Sequence, residues 1–436
     1  MKQLVRKPRP LDWFALALLV ISVFINYADR GNLGVAARTI SGELHIAPDR
    51  LGYLLAAFSL TYSFSQIVAG ELIDRWNVNW VYAAGFLLWS AATGLTGLAH
   101  TFSSILILRL LLGMSESVAY PAYSKMIVIS FPEQLRGTAN SLIDAGSKLG
   151  PALGVLLGVK MIEWFSWRGM FLIIGAASLL WLVPWCFVAA KLPSKHPRES
   201  ANPTEAGVPS YREIISKRAL WGTALGLFAG NYTWFVFLNW LPYYFESDRH
   251  YTRNRLAFFG SLPFWTIAVS SLCFGVLADS LIRRGWRAGG VRQGFVCVGL
   301  LGCCIFMLPA VVVADPALAN LLLLLASVSL GLWSSNHWAL TQLLSGPRAA
   351  GKWTAFQNGF GNLAGVVGQV VSGYALNTTH SFFAAFAIAC AVLFGGILSY
   401  FFIVGRPREV SWKTISTQQD LTNIQGTQSA KSGGEY

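Results

Sequence analysis

The chain has 436 residues, of which 54% are hydrophobic and only 12% are charged. A soluble domain has about 25% charged residues, so this chain has too few polar side chains to cover a water-facing surface. The composition excludes a soluble multidomain protein, a disordered chain and a fibrous protein, and it indicates an integral membrane protein. The net charge of +13 does not indicate nucleic-acid binding, because the basic residues lie in short gaps between apolar runs.

Twelve apolar stretches are each long enough to cross a bilayer as a helix, which requires about 20 residues. In chain order they are 11–36, 50–73, 79–99, 102–130, 138–162, 169–190, 220–245, 255–281, 291–313, 317–343, 350–376 and 381–404. None shows the alternating pattern of barrel strands. The first is too long for a signal peptide and has no small-residue cleavage site, so we expect it to be retained. The predicted fold class is an all-α membrane protein.

The basic residues predict the orientation of these helices. With twelve spans both termini lie on one side, and that side carries 23 of the 33 Lys and Arg residues, against 7 on the other side. Positively charged loops stay in the cytoplasm. We therefore expect a multi-pass protein of the cell (inner) membrane with both termini in the cytoplasm.

A polar gap divides the helices into two sets. Residues 191–219 are predicted to form a central cytoplasmic loop between an N-terminal six-helix bundle (1–190) and a C-terminal six-helix bundle (220–405). Residues 406–436 are polar and rich in Gly, Ser and Gln, which predicts a disordered cytoplasmic tail.

The two sets repeat a motif. The segment from Gly70 to Asp74 follows the second span, and a similar segment from Gly275 to Asp279 follows the eighth. Parallel repeats of this kind form two pseudo-symmetric bundles in transporters, with the binding site at their interface. The repeated aspartates lie at the cytoplasmic ends of their helices, where they could latch one conformation.

Ionisable residues inside the predicted spans are the strongest functional signal. A charge at mid-bilayer costs at least ~2.5–3.5 kcal/mol on insertion scales, so each needs a partner or a water-filled cavity. Three acids and three bases are nearly neutral together, and protonation of one acid frees a cation for an anionic substrate. This favours proton–anion symport, and the alternative is a set of static ion pairs. The six residues are Asp29, Arg30, Arg109, Glu116, Asp144 and Lys148.

The spacing of four of these charges predicts how they pair. Arg109 and Glu116 are seven residues apart and share one helix face, separated by about 10 Å. Asp29 and Arg30 are adjacent, so each can reach a different partner. We expect Asp29 to pair with Arg109 and Arg30 to pair with Glu116.

The fifth span carries a further charged pair. Asp144 and Lys148 are four residues apart, which suits an acid–base pair on one face. Glycines at every fourth position from 146 to 158 form a stripe on roughly the opposite face, which suits close helix packing. Lys148 is thus predicted to face the substrate path. The alternative is a locally neutralised pair that does not contact substrate.

Three motifs resemble those of the major facilitator superfamily, over essentially residues 11–405. They are Gly70-x-x-x-Asp74-Arg75 after the second helix, Arg109-Leu-Leu-Leu-Gly113 in the fourth, and Phe131-Pro132-Glu133-x-x-Arg136-Gly137 in the following turn. The basic cluster that usually follows the first motif is replaced here by Trp-Asn-Val-Asn-Trp. The resemblance implies two helical bundles that alternate access to a central site.

Other features resemble the narrower anion:cation symporter family. They are Tyr27-x-Asp29-Arg30-x-Asn32-Leu33, Arg109 followed by Glu116, and Gly361-Asn362-Leu363-x-Gly365. The resemblance implies proton-driven import of hexuronates, aldonates, aldarates, tartrate or phthalate in bacteria, and its animal relatives move sialic acid, phosphate and glutamate. Lys148 departs from the family, since some sugar-acid members carry a neutral residue there.

Charge, spacing and resemblance together predict the site residues. For proton coupling we expect Asp29, Glu116 and Arg109. For gating we expect Asp74, Arg75 and Asp279. For substrate binding we expect Arg30, Tyr27, Tyr62, Gln66, Lys148, Asn358 and Asn362, and Asn336, His337 and Trp338 could complete the pocket. For each neutral residue the alternative is hydrogen bonding between helices.

No enzyme motif is present: the sequence has no phosphate-binding glycine loop, no GxSxG and no metal-spaced histidines. We expect no enzyme activity, no cofactor and no metal. The predicted function is proton-coupled import of a sugar acid or dicarboxylate by a monomer that contacts lipid and no nucleic acid. The alternatives are exchange or uniport of the same anions, or a non-transporting sensor, which would be expected to carry a soluble output domain.

Overall fold

The computed structural model describes residues 8–131, 133–193 and 209–412, apart from a few side chains within helices. This part of the chain is almost entirely helical. Its helices are α1 (Pro10–Leu44), α2 (Pro48–Arg75), α3 (Val78–Thr96), α4 (Phe102–Glu116), α5 (Ala119–Ser130), α6 (Glu133–Ala189), α7 (Tyr211–Ile215), α8 (Arg218–Ser247), α9 (Arg253–Arg283), α10 (Ala288–Val312), α11 (Pro316–Asn362), α12 (Ala364–Thr379) and α13 (Phe382–Leu398), which continues as a π-helical segment, Ser399–Val404.

The helices do not match the predicted spans one to one, because two long helices each cover two spans and two spans are each divided between two helices. α6 bends sharply at Ser166 and α11 at Gly346, where φ is 61° and 62°, so each consists of two helices. Conversely, α4 and α5 follow one path broken at residues 117–118, and α11 continues into α12 across Leu363. Apart from the short α7, the described helices follow twelve paths at the positions of the twelve predicted stretches.

Apolar length supports a membrane-spanning fold. In the described chain, seven helices are long and apolar enough to cross a membrane by length and composition. Others, such as α2 and α8, contain polar residues on the faces that meet other helices; Ser59, Thr233 and Asn239 are examples, and all are buried. The prediction of an all-α membrane protein is confirmed.

The helices pack as two groups. In the first half α1 packs along α6, α2 on α4, and α3 on α6; in the second half α10 and α9 pack on α11, and α8 on α13. The glycine stripe of α6 packs closely on another helix, as its spacing predicted, and the structure shows that this helix is α1: a Cβ at Gly150 would lie 2.5 Å from the Cβ of Tyr27. This close contact holds α1 tightly against α6, and α1 carries two of the buried charges, Asp29 and Arg30.

The two halves meet through α1 with α8, α2 with α12, and α6 with α9. Their closest approaches lie toward the end of the bundle opposite the chain termini, which we call the closed end. A Cβ at Gly34 would lie 2.7 Å from the Cα of Asn239, and one at Gly52 would lie 2.6 Å from the carbonyl oxygen of Gln369. Such backbone contacts leave no passage between these helices at the closed end.

Polar side chains also join the halves at the closed end. Arg253 on α9 donates to the Thr39 hydroxyl on α1 at 3.4 Å. Lys160 on α6 donates to the side-chain oxygen of Asn254 on α9. Opening this end would break both contacts.

The segment that follows the last helix docks on the second half, unlike the disorder expected from residue 406. The Val410 N–H donates to the Leu344 carbonyl at 2.9 Å, and the Trp412 indole donates to the Ser345 carbonyl at 3.0 Å. Val410 and Trp412 are apolar residues in an otherwise polar tail, and both are partly buried against the core of the second half beside the bend at Gly346. Residues 413–436 and the linker residues 194–208 lie outside the described chain.

Candidate functional site

A central cavity of about 330 Å³ lies between the halves, on the terminal side of their closest approaches. The first half lines it with Tyr27, Arg30, Tyr62, Tyr120, Ser147 and Lys148. The second half lines it with Leu227, Asn231, Trp234, Phe235, Ile267, Leu330, Trp333, Ser334, Trp338, Thr354, Asn358 and Asn362. Six of the seven predicted substrate residues are in these sets; Gln66, one turn further along α2 than Tyr62, is not.

Arg30 is the buried cation of the cavity wall, with 5% of its surface exposed. Its Nε donates to Oε2 of Glu116 at 3.0 Å, the pairing predicted from spacing. Its guanidinium lies 4.5 Å from the ring centres of both Tyr27 and Tyr62, which gives cation–π attraction on two sides. Its Nη2 is buried without a hydrogen-bond partner. Because Arg30 also lines the cavity, this unpaired donor lies within the cavity wall, where a shift of the guanidinium would present it to an anionic oxygen.

Glu116 lies behind Arg30, fully buried at the last residue of α4, where the helix breaks. Glu116 is buried where α2 and α4 approach closely. A Cβ at Gly113 on α4 would lie 2.2 Å from the Phe58 carbonyl oxygen on α2. The same approach places the Phe58 ring 5.2 Å from the Arg30 guanidinium and 5.3 Å from that of Arg109. Oε1 of Glu116 has no hydrogen-bond partner.

Asp29 and Arg109 are also buried, but the predicted pair between them is not formed. Oδ1 of Asp29 accepts instead from the amide of Asn32, one turn along α1, at 3.1 Å. Asn32 is the nearer donor, and Arg109 lies against the Phe58 ring. Oδ2 of Asp29 and Nε of Arg109 have no hydrogen-bond partner. Neither residue lines the cavity, so the three proton-coupling candidates form a layer behind its wall.

Lys148 borders two openings. It lines the central cavity beside Ser147, and it also lines a side opening between α6 and α9 with Asn140, Leu149 and Leu272. Its position on the face away from the glycine stripe agrees with its predicted direction. The side chain of Asp144, its predicted partner, lies outside the described part of the structure.

The second half contributes an amide stripe to the cavity. Thr354, Asn358 and Asn362 follow one another at every fourth position of α11. The Asn362 amide donates to the Asn358 carbonyl at 2.8 Å, and the Asn231 amide on α8 donates to the Gly361 carbonyl at 3.1 Å. The first bond lies within α11, and the second joins α8 to α11 at the cavity.

Sequence reasoning missed most of the aromatic side chains of this half. Trp234, Phe235 and Trp333 line the cavity together with Trp338. Helical spacing gives a partial signal, since 227, 231 and 234 fall on one face of α8. The sequence does not show that Trp333 packs against Gly230 on α8. A Cβ at residue 230 would lie 2.1 Å from the Trp333 indole ring.

Two residues proposed to complete the pocket lie elsewhere. Asn336 and His337 are fully buried away from the cavity. The His337 ring is hydrogen-bonded to the Tyr400 hydroxyl and, at 2.6 Å, to the Gln357 amide. Asn336 accepts from Arg292 at 2.9 Å. Both residues form interhelical hydrogen bonds, the alternative stated for neutral residues.

The gating candidates lie toward the terminal end. Arg75 pairs with Glu71 at 2.5 Å on the exposed surface of α2. Asp279 on α9 pairs with Arg292 on α10. The Asp74 side chain lies outside the described part of the structure. The observed pairs therefore lie within a half, and neither joins the two halves. Among the described residues, no group of His, Cys, Asp and Glu could hold a metal ion.

Comparison with known proteins agrees with this architecture. The family model described as "Major Facilitator Superfamily" matches residues 19–369. A crystal structure of a bacterial homologue of the human lysosomal transporter Spinster, in an inward-facing and occupied conformation, has a TM-score of 0.79 and covers 92% of this chain and 98% of its own, at 16% identity. This likeness shows the same fold.

Several curated relatives align over most of their length. The probable sulfoacetate transporter SauU of Cupriavidus necator is 30% identical, over 89% of this chain and 93% of its own. The D-galactonate transporter of Escherichia coli O6:H1 is 30% identical, over 93% and 98%. The probable galactarate/D-glucarate transporter GudP of Bacillus subtilis is 26% identical, over 93% and 95%. These relatives are named as transporters, which confirms the prediction that the protein is not an enzyme. The chain is a multi-pass membrane protein that belongs to the Major Facilitator Superfamily.

Proposed function

We propose that the protein imports a small organic anion together with protons by alternating access. The observation that carries this proposal is the position of Arg30: it is buried at the cavity wall, it has an unpartnered donor, and it is paired with Glu116 behind it. With both groups ionised the pair is neutral. Protonation of Glu116 leaves one positive charge at the wall, which a substrate carboxylate can neutralise through charge-assisted hydrogen bonds.

The relatives support an anionic substrate. Sulfoacetate, galactonate, galactarate and glucarate, which appear in the names of three relatives, are all organic anions. Relatives in plant chloroplasts are named as probable anion transporters. A cavity that presents Arg30 and Lys148 from different helices suits such a substrate. The described residues of the second half add no charged side chain to the cavity lining.

The buried layer behind the wall supports proton coupling. Oδ2 of Asp29, Oε1 of Glu116 and Nε of Arg109 are buried and form no hydrogen bond of normal geometry, with Thr93 beside Asp29 and Asn26 beside Glu116 as neutral neighbours. Water molecules commonly satisfy buried polar groups that lack protein partners, and a chain of such waters can conduct protons. We assign Asp29 and Glu116 as proton carriers and Arg109 as the cation that balances their charge.

The packing of the halves supports alternating access. If the termini are cytoplasmic, as the charge distribution predicts, the closed end is extracellular and the cavity serves the cytoplasmic side. Import then requires separation of α1 from α8 and of α2 from α12 at the closed end. In the outward-open state the terminal end would be the closed one. Asp279 would hold it closed, together with Asp74 and Arg75 in the matching segment of the first half. Because one chain builds the whole cavity, we propose a functional monomer in the inner membrane.

Transport by purified protein in liposomes tests the proposal. Radiolabelled D-galactonate and sulfoacetate are supplied outside, with and without an outside-acid pH gradient. We expect uptake above equilibrium that collapses with a protonophore. Exchange that ignores the gradient would favour the exchanger, and gradient-independent net equilibration would favour the uniporter. Absence of both uptake and counterflow with a panel of organic anions, in protein shown to be folded, would contradict transport.

A further inference from the structure

We propose that the transported anion carries an aromatic ring, which packs against the second half while its carboxylate meets Arg30. This inference rests on the proposed function and adds the class of substrate. The surface that would receive the ring consists of Trp234, Phe235, Trp333 and Trp338, which we call the aromatic wall.

The cavity is amphipathic across the interface of the halves. Arg30 and Lys148 come from the first half, whereas the aromatic wall comes from α8 and α11 of the second. Leu227, Ile267 and Leu330 extend its apolar surface. A ligand that spans the cavity would therefore contact cations at one end and mainly apolar side chains at the other. Ligand sites usually combine such an apolar lining with a few polar groups that fix orientation.

The aromatic wall is held in place by its neighbours. The Trp333 indole fits against α8 only because residue 230 is glycine, and it stacks on the His337 ring with 5.6 Å between centres. His337 is itself fixed by hydrogen bonds on both ring nitrogens. The Trp234 ring packs edge-on to Phe264 at 5.6 Å. A rigid wall of flat rings favours a flat apolar partner, because aromatic pairs gain from offset or edge-on contact.

The second half also lines the cavity with five polar side chains, three of which lie on the segment of α11 after Gly346: Asn231, Ser334, Thr354, Asn358 and Asn362. The amides of Asn231 and Asn362 already donate to backbone oxygens of α11. A polyhydroxy acid has a hydroxyl on almost every carbon, and each one placed against a ring face of the aromatic wall would lose its hydrogen bonds to water, with only the indole N–H groups there to replace them. An aryl carboxylate needs polar partners only at its acidic end, where Arg30 has an unused donor.

Calorimetric titration of the purified full-length protein tests this class. The probes are benzoate, D-galactonate as a linear polyhydroxy acid, and D-glucuronate as a ring-shaped one. We expect benzoate to bind at least about tenfold more tightly than either sugar acid. Trp338→Ala should weaken benzoate about tenfold while leaving the sugar acids nearly unchanged, and Trp338→Phe should restore most of the loss. Trp286→Ala, at an exposed position outside the cavity, is the matched control.

The outcomes separate this inference from the proposed function. Tighter binding of a sugar acid than of benzoate, or an equal effect of Trp338→Ala on all three probes, would overturn the aromatic assignment and leave anion transport standing. Tight binding of glucuronate alone would replace the aryl ring by a sugar ring stacked on the same wall. If neither these three probes nor sulfoacetate, titrated in addition, binds to wild-type protein with an intact thermal transition, both proposals fail.

Discussion

The two halves of the molecule share a helical layout but differ in what they bury. At mid-depth the first half buries Asp29, Arg30, Arg109 and Glu116, each with 5% or less of its surface exposed. The second half instead buries a neutral cluster, centred on Gln357 and bonded to His337, Thr223 and Trp353. Both halves are equally helical, so the fold does not require the charges.

This difference indicates a division of labour. Buried charges are costly, and in the first half several of their polar atoms lack partners, which is typical of a site that changes its protonation or ligand. In the neutral cluster, the side-chain oxygen of Gln357 accepts three hydrogen bonds. We infer that coupling belongs to the first half, whereas the second half shapes the substrate's body. Substitutions in each half test this inference.

The largest effect is expected at Arg30. Arg30→Ala removes the wall cation and leaves Glu116 buried without its partner, so binding of every anion should be lost. Truncation of one member of a buried charge pair typically costs about 2–5 kcal/mol, which is roughly 30-fold to several-thousand-fold in affinity. Titration of purified protein with D-galactonate and benzoate measures the loss.

Arg30→Lys is the matched control, since it keeps the charge but not the fork of donors. It should retain folding and weak binding. If Arg30→Ala binds anions with normal affinity, the assignment of the wall cation is wrong.

The next effect is expected at Glu116. Glu116→Gln mimics the protonated carboxyl, so Arg30 stays available and substrate binding and counterflow should persist. Uphill uptake driven by a pH gradient should be abolished, because the proton has no carrier at that position. Liposome uptake with and without the gradient measures both properties. Normal accumulation by this variant would remove Glu116 from the coupling mechanism.

The sequence predicted the twelve helical paths and the Arg30–Glu116 pair because both depend on local spacing and on the cost of buried charge. It failed for Asp29 and Arg109, since Asn32 competes for the carboxylate and the choice depends on side-chain packing. Most of the aromatic wall was also missed. In an apolar helix a tryptophan that faces lipid and one that faces a cavity look alike, and only the contact with Gly230 distinguishes Trp333.

A smaller effect is expected at Lys148, which adds a second cation from another helix of the first half. We expect it to favour anions with a second acidic group, so Lys148→Gln should weaken dicarboxylates by about tenfold, or ~1.4 kcal/mol, and monocarboxylates much less. Competition of phthalate and benzoate for uptake, in wild type and variant, measures the difference. Equal losses for the two would assign Lys148 to local pairing on α6, the alternative stated from sequence.

A change in rate rather than affinity is expected at Asp279. The residue pairs with Arg292, which also bonds to the buried Asn336, so Asp279→Asn should loosen the terminal end of the second half. Turnover should fall several-fold while substrate affinity stays the same. Cysteine-accessibility labelling of cavity residues reports the shift between inward and outward states. Loss of affinity without a change in labelling would contradict a gating role.

The smallest effect on transport is expected in the neutral cluster, where stability should change instead. Gln357 accepts from Thr223 and from the Trp353 indole, each at 2.9 Å. Gln357→Leu leaves these donors and His337 without their partner, at about 1–3 kcal/mol for each unsatisfied group. The melting temperature should fall, whereas the accumulation ratio of the folded protein should stay at the wild-type value.

Tyr82→Phe is the matched substitution in the first half. It removes a hydroxyl that bonds to Ser22 at 2.6 Å and to Tyr123 at 3.0 Å, within another neutral buried cluster. It should likewise lower stability and spare coupling, because proton coupling depends on the buried charges and not on the half in which a neutral hydrogen bond lies.

The result that would contradict this division is loss of accumulation with intact counterflow in Gln357→Leu. The second half would then take part in proton coupling, through His337, which is bonded to Gln357.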